Sequence, residues 1–186
     1  ATKKGKKKFT QEELNASDLT FHYWGALNNL ISLIKASELK AGLILSFFGI
    51  IFNFVYQNTD RIKASLNEFN FLYVILSLWL LTAFVSIYHS VSTFIPRIEK
   101  KYPSNVFFFG DIISKFGDIK EYSHEFLKTN VDKERIYDQI GQQIYVNAKI
   151  TSLKFKRVNT SIRYMIISIV LLGLLILSET IITIFF

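Results

Sequence analysis

An all-α membrane protein, three transmembrane helices joined to a helical cytoplasmic domain, is the fold class that this sequence predicts. Three observations carry the reading. Half of the 186 residues are hydrophobic and 18 are Phe, more apolar side chain than a soluble domain of this size has interior to hide. The apolar residues fall in blocks and are not spread along the chain, as crossing a bilayer requires. The cations, finally, are distributed very unevenly about those blocks.

The first block runs from Ala41 to Tyr56 (AGLILSFFGIIFNFVY). It is short, carries Asn53 near its far end, and needs flanking residues to reach the ~20 that span hydrocarbon. A re-entrant or interfacial hairpin is its alternative. The second, Phe71 to Phe94, has no Lys, Arg, Asp or Glu. The third, Tyr164 to Phe186, carries a single charge, Glu179. Of the 22 Lys and Arg, seven lie in residues 1–40, two in 57–70 and thirteen in 95–163. Three crossings put twenty of them on one side. The positive-inside rule makes that side the cytoplasm. The chain then divides into a basic tail with an amphipathic helix (1–40), a transmembrane hairpin (41–94), a cytoplasmic helical region that senses (95–163) and a last span (164–186).

The leading ATKKGKKK has the charge of a signal-peptide start, but no apolar stretch follows within reach. A solvated tail explains it, and a hold on anionic lipid is the functional alternative. From about Asp18 to Lys40 a helix is expected, capped by Ser17 or Asp18, with Leu27, Leu30, Ile31 and Ile34 as its core stripe. Tyr23 and Trp24 suit a headgroup boundary or a packed interface. Pro96 and Pro103 impose a loop after the second span. Helix returns over Ile119, Tyr122, Phe126 and Leu127. Asn130 or Asp132 can cap a final helix in which Ile136, Ile140, Ile144 and Ala148 recur every fourth residue. No proline interrupts Lys133–Phe186, so one helix of roughly 80 Å at 1.5 Å per residue would lead from the cytoplasm into the bilayer.

Catalytic patterns are missing. His22, His89 and His124 are far apart in sequence, and neither HExxH, a Gly-rich phosphate loop nor G-x-S-x-G occurs. The lack of Cys excludes thiolate metal sites, Fe–S clusters and a Cys nucleophile. Asp111, Glu121 and Glu125 read as a solvated helix face. The expectation is a protein that is not an enzyme and uses no metal and no cofactor. What remains is an interleaving of basic and aromatic residues: Lys40, Arg97, Phe107 to Phe109, Tyr145, Lys149, Lys154 and Lys156. Cations neutralise phosphate and rings stack on bases, while Gly110 could let backbone approach a ligand. Packing beside the membrane and the positive-inside bias explain the same residues without a ligand.

Three segments carry a resemblance. ASELKAGLILSFFGIIF (Ala36–Phe52) resembles the ADxKAG-into-transmembrane motif of the Pycsar effector transmembrane family. YPSNVFFFGDI (Tyr102–Ile112) is similar to its central segment. QQIYVNAKITSLKFKRVNTSIRY (Gln142–Tyr164) is similar to its final helix, where a Lys precedes the last span. Here Ser37-Glu38 stands where an acid followed by a small polar residue is commoner. The resemblance implies anti-phage defence. A partner nucleotide cyclase, or a cGAS-like synthase in the related CBASS membrane effectors, makes a cyclic nucleotide (cyclic CMP, cyclic UMP or a cyclic oligonucleotide). The effector binds this messenger, not a nucleic acid polymer, and compromises the membrane.

The candidate ligand site on this reading is Arg97, Lys149 and Lys154 for phosphate, with Phe108 or Tyr145 as the stacking face. Three spans are too few to enclose a pore, so a homo-oligomer is expected. Glu179 is either an interfacial residue or a lining of the subunit interface or ion path. A non-gated scaffold or sensor subunit that binds a protein partner, and a small constitutive channel, are the competing functions. The charge distribution makes the topology testable: a reporter within residues 57–70 should be periplasmic and one near Asn130 cytoplasmic. The opposite labelling would overturn the orientation.

Overall fold

The computed structural model describes residues 11–60, 62–63, 71–95 and 103–185. Among them the ordered elements are α1 (Gln11–Gln57), α2 (Phe71–Phe94), α3 (Phe109–Ser114), α4 (Ile119–Val131) and α5 (Lys133–Phe185), with no strand. Portions of α1, α2 and α5 are long and apolar enough to cross a membrane. The chain is therefore an all-α, multi-pass membrane protein. The bounds of α2 coincide with the second apolar block. α1 begins well before Ser17 and Asp18, so neither caps it. The intervening EELNA contains no residue that breaks a helix.

The fold divides into two units, one drawn from Ala1–Leu33 and Ile98–Thr151, the other from Ile34–Arg97 and Ser152–Phe186. The second, here the membrane unit, takes in nearly all of the apolar blocks. Ile44 and Phe48 of α1 and Ala83 of α2 form its core, with Phe52, Ile87, Ile162 and Met165 against them. Phe52 meets Trp79 edge-on at 5.7 Å between ring centroids.

Most other buried positions in this unit are small and polar. Ser86 and Ser90 of α2 and Ser161 of α5 are fully buried. Ser161 Oγ lies 2.7 Å from Ser90 Oγ and donates to the Ser86 carbonyl at 2.8 Å. Large apolar side chains such as Leu81, Phe84, Val170 and Leu177 are exposed instead. Lipid is as apolar as Leu, so helices in a bilayer gain little by turning Leu inward, whereas small residues let two backbones approach closely.

The other unit, here the polar unit, is organised by α4, the first half of α5 and the start of α1. Asp118 caps α4 by accepting from the amides of Lys120 and Glu121, both at 2.8 Å. Asp132 does the same for α5, accepting from Glu134 and Arg135. Asp132 is thus the cap, while Asn130 donates back to the Phe126 carbonyl within α4. Tyr23 packs on Tyr137 and Trp24 on Phe107, so both aromatics serve a packed interface. Leu27 is buried, but Ile31 is exposed and drops out of the expected stripe.

The serine seam supports a direct test. Ser161→Ala should cost about 0.6 kcal/mol, the average for a hydrogen bond between transmembrane helices. Ser161→Leu should cost about 1–3 kcal/mol by overpacking. Thermal unfolding in detergent would rank the two, and an indifferent Leu variant would argue against close approach of α2 and α5.

Candidate functional site

In the polar unit, the segment from Ser104 to Phe108 is held onto α5 by amides. Asn105 Nδ2 donates to the Gln139 carbonyl at 2.7 Å, and Gln139 Oε1 accepts from the Val106 amide at 3.1 Å. Asn105 Oδ1 accepts from the Phe107 amide at 2.9 Å. The Asn105 amide nitrogen donates to Asp111 Oδ2 at 2.9 Å, and Lys115 Nζ sits 3.0 Å from Asp111 Oδ1. Asp111 is buried. It does not belong to a solvated face; that expectation is corrected because a loop amide and a lysine compensate its charge. Glu125 pairs with Arg135, and Glu121 is exposed.

These contacts leave a cleft of about 20 Å³ lined by Pro103, Asn105, Phe108, Asp111, Gln142, Gln143 and Val146. Phe108 takes the extended N-cap position of α3. A Cβ at Gly110 would come within 2.8 Å of the Phe108 ring, so this glycine makes room for that ring. Two sequence candidates lie nearby on α5. Tyr145 and Lys149, both exposed, are four residues apart and share one helical face. Among the described residues, no group of His, Cys, Asp or Glu is arranged to hold a metal ion.

Lys154 belongs to the membrane unit and is buried there. Its ammonium donates to Glu38 Oε1 of α1 and to the Thr93 carbonyl of α2, each at 2.6 Å. Arg157, one turn on, donates to the Ser92 carbonyl. Ser92 and Thr93 lie in the last turn of α2, where carbonyls have no partner within the helix. Pro96 follows in the sequence and disfavours further helix. Two cations from α5 therefore occupy the negative end of α2. Lys40, another of the interleaved cations, lies over the Phe155 ring at 5.7 Å.

The structure thus places Phe108, Tyr145 and Lys149 in the polar unit and Lys154 in the membrane unit. Arg97 lies outside the described residues. Glu179 lies on α5, and its side chain is outside them too. Sequence reasoning missed Glu38 as the partner of Lys154, and it missed the Asn105, Gln139 and Gln142 amides. Glu38 was within reach, since it stands inside the motif quoted for the resemblance and the lysine inside another.

Residues 22–179 match the Pycsar effector protein domain. The chain belongs to the Pycsar effector family. No curated protein and no solved structure matches it. With three helices able to cross a bilayer, this Pycsar effector is a multi-pass membrane effector of anti-phage defence. Its two quoted family-like segments around Glu38 and Lys154 meet in one ion pair.

The pair generates a prediction. Lys154→Met keeps most of the side-chain volume but leaves Glu38 and the Thr93 carbonyl without their donor. It should cost about 1.5–3 kcal/mol, the range for a hydrogen bond to a charged group. Glu38→Gln retains an acceptor oxygen and should cost about 1 kcal/mol or less. Unfolding of the two single variants and the double variant should show coupling. Strict additivity would mean that the contact contributes nothing to stability.

Proposed function

We propose that this Pycsar effector binds a cyclic nucleotide through its polar unit, on the cytoplasmic side, and then breaks the integrity of the bacterial inner membrane. The observation that carries the reading is the face of α5 that presents Tyr145 and Lys149 one turn apart, on the helix that also lines the Phe108 cleft. A ring stacks on a base and an ammonium neutralises a phosphate. Arg97 supplies a second cation. Lys154 is engaged by Glu38 and Thr93, so the phosphate contact expected of it falls to Lys149 and Arg97. The messenger comes from a partner nucleotide cyclase or cGAS-like synthase, and this chain itself performs no catalysis.

Membrane damage requires more than one copy. Three spanning helices, packed on one another through Ile44, Phe48, Ala83 and buried serines, are too few to enclose a channel. A homo-oligomer, with permeation between copies and Glu179 on that path, is the arrangement that follows. A second reading is a scaffold or sensor subunit that binds a protein partner. It draws on Ile113, Ile119 and Val131, which are exposed in the polar unit.

Purified protein in liposomes separates these readings. Titration with cyclic CMP, cyclic UMP and cyclic di- and trinucleotides should release a trapped ion only with the cognate messenger. Glu179→Gln, which preserves size and hydrogen bonding, should lower or alter that leak without changing nucleotide affinity. Lys149→Ala should weaken binding about tenfold or more, as loss of one charge-assisted contact predicts. Absence of binding by every nucleotide would leave the scaffold reading.

A further inference from the structure

We propose that the small cleft of the polar unit reads the nucleobase by an N–H donor, with Gln142 Oε1 and Asp111 as paired acceptors, and so selects a base that bears an amino group. The inference rests on the cyclic-nucleotide reading above and names what part of the ligand the cleft takes.

Gln142 Oε1 is buried without a hydrogen-bond partner. Buried polar atoms are nearly always satisfied, and this oxygen, one of two exceptions among the described residues with Thr129 Oγ1, calls for an unseen partner. Its orientation is decided by chemistry. The Gln142 amide nitrogen donates to Asp138 Oδ2 at 2.9 Å, and the reverse flip would set oxygen against carboxylate. The atom without a partner is therefore an acceptor. Asn105, by contrast, uses its backbone amide nitrogen and both side-chain polar atoms within the protein.

The charged group in the lining is Asp111, also an acceptor. Each of its oxygens takes one hydrogen bond, leaving a further lone pair on each. No lysine or arginine lines the cleft. A phosphate would be repelled there, and so would a keto oxygen facing the carboxylate. An exocyclic amino group, with two N–H donors and no negative charge, fits, as when Asp or Glu accepts from the N4 amino group of cytosine. Phe108, Pro103 and Val146 supply apolar walls for a flat ring. At about 20 Å³ the cleft has room for one water. The base edge would enter with the Phe108 ring yielding.

The rest of the ligand has a direction. Gln142, Tyr145, Val146 and Lys149 fall at i, i+3, i+4 and i+7 on α5, one continuous helical face. Lys149 is seven residues beyond Gln142, about 10 Å at 1.5 Å per residue. A cyclic mononucleotide with its base at Gln142 lays its phosphate toward Lys149.

The test compares two ligands that differ at the amino position, cyclic CMP and cyclic UMP, by calorimetric titration of the detergent-solubilised full chain. Wild type should bind cyclic CMP about tenfold or more tightly than cyclic UMP, the discrimination of one well-made base contact. Gln142→Met, similar in size but without the acceptor, should bring the ratio close to one. Lys149→Ala should weaken both ligands equally. A ratio is insensitive to a general loss of stability, so an imperfectly folded variant does not mimic the result. Equal binding of both ligands by wild type, or an unchanged ratio in Gln142→Met, overturns the base-reading cleft while the nucleotide-gated effector stands. The cleft would then hold a structural water only. Binding of neither nucleotide removes both readings.

Discussion

The carbonyl end of α2 is the constraint around which the membrane unit is arranged. An α-helix that stops leaves its last four carbonyls without partners, and a neighbouring bilayer offers few donors to replace them. Here the donors come from another helix. Lys154 and Arg157 of α5 reach Thr93 and Ser92, and Glu38 of α1 balances the lysine. One hydrogen-bonded group of charges therefore joins all three long helices of the unit. Each helix takes its register from it: Lys154 and Arg157 lie on one face of α5, and Glu38 lies one turn before the core residues of α1 begin.

The same polar logic continues along the seam. On α5 the buried residues Lys154, Val158, Ser161, Ser168 and Leu175 are spaced by combinations of three and four, a repeat close to 3.5. On α1, Ser37, Ala41, Ile44 and Phe48 repeat likewise, as do Trp79, Ala83, Ser86, Ser90 and Thr93 on α2. That period is the signature of helices that wrap at a shallow left-handed angle. Small residues make the contact close, and the bulky apolar residues turn to lipid. The outcome is a seam closed by direct helix contact.

The polar unit works by the opposite rule. Water competes for its surface, so Leu27, Val106 and Ile140 are buried, Trp24, Phe107 and Phe126 meet edge-on nearer the surface, and its polar side chains fasten a loop. Asn105 and Gln139 fix the segment ahead of α3 against α5. This in turn sets Phe108 beside Gln142 in one cleft.

The helices and their membrane character were legible in the sequence because both follow from local composition. An uncharged apolar run became α2 with the bounds Phe71–Phe94, and the proline-free stretch after Asp132 became one helix of 53 residues. Asp132 was readable as a cap because a cap is a contact within three residues. Ser17 and Asp18 were not caps, since nothing upstream obliged the helix to begin there. The stripe at Ile136, Ile140, Ile144 and Ala148 located the buried face of α5 only in part. In the membrane unit, many buried positions are small and polar while many large apolar side chains face outward, so hydrophobicity alone does not mark the buried face. Lys154 looked like a free cation because its partners, Glu38 and Thr93, lie 116 and 61 residues away. The buried oxygen of Gln142 was invisible for the same reason. Local pattern determines which segments become helices and which of them enter a membrane. Which polar groups satisfy one another, and which are left unpaired, is decided only when distant segments are brought within hydrogen-bond distance.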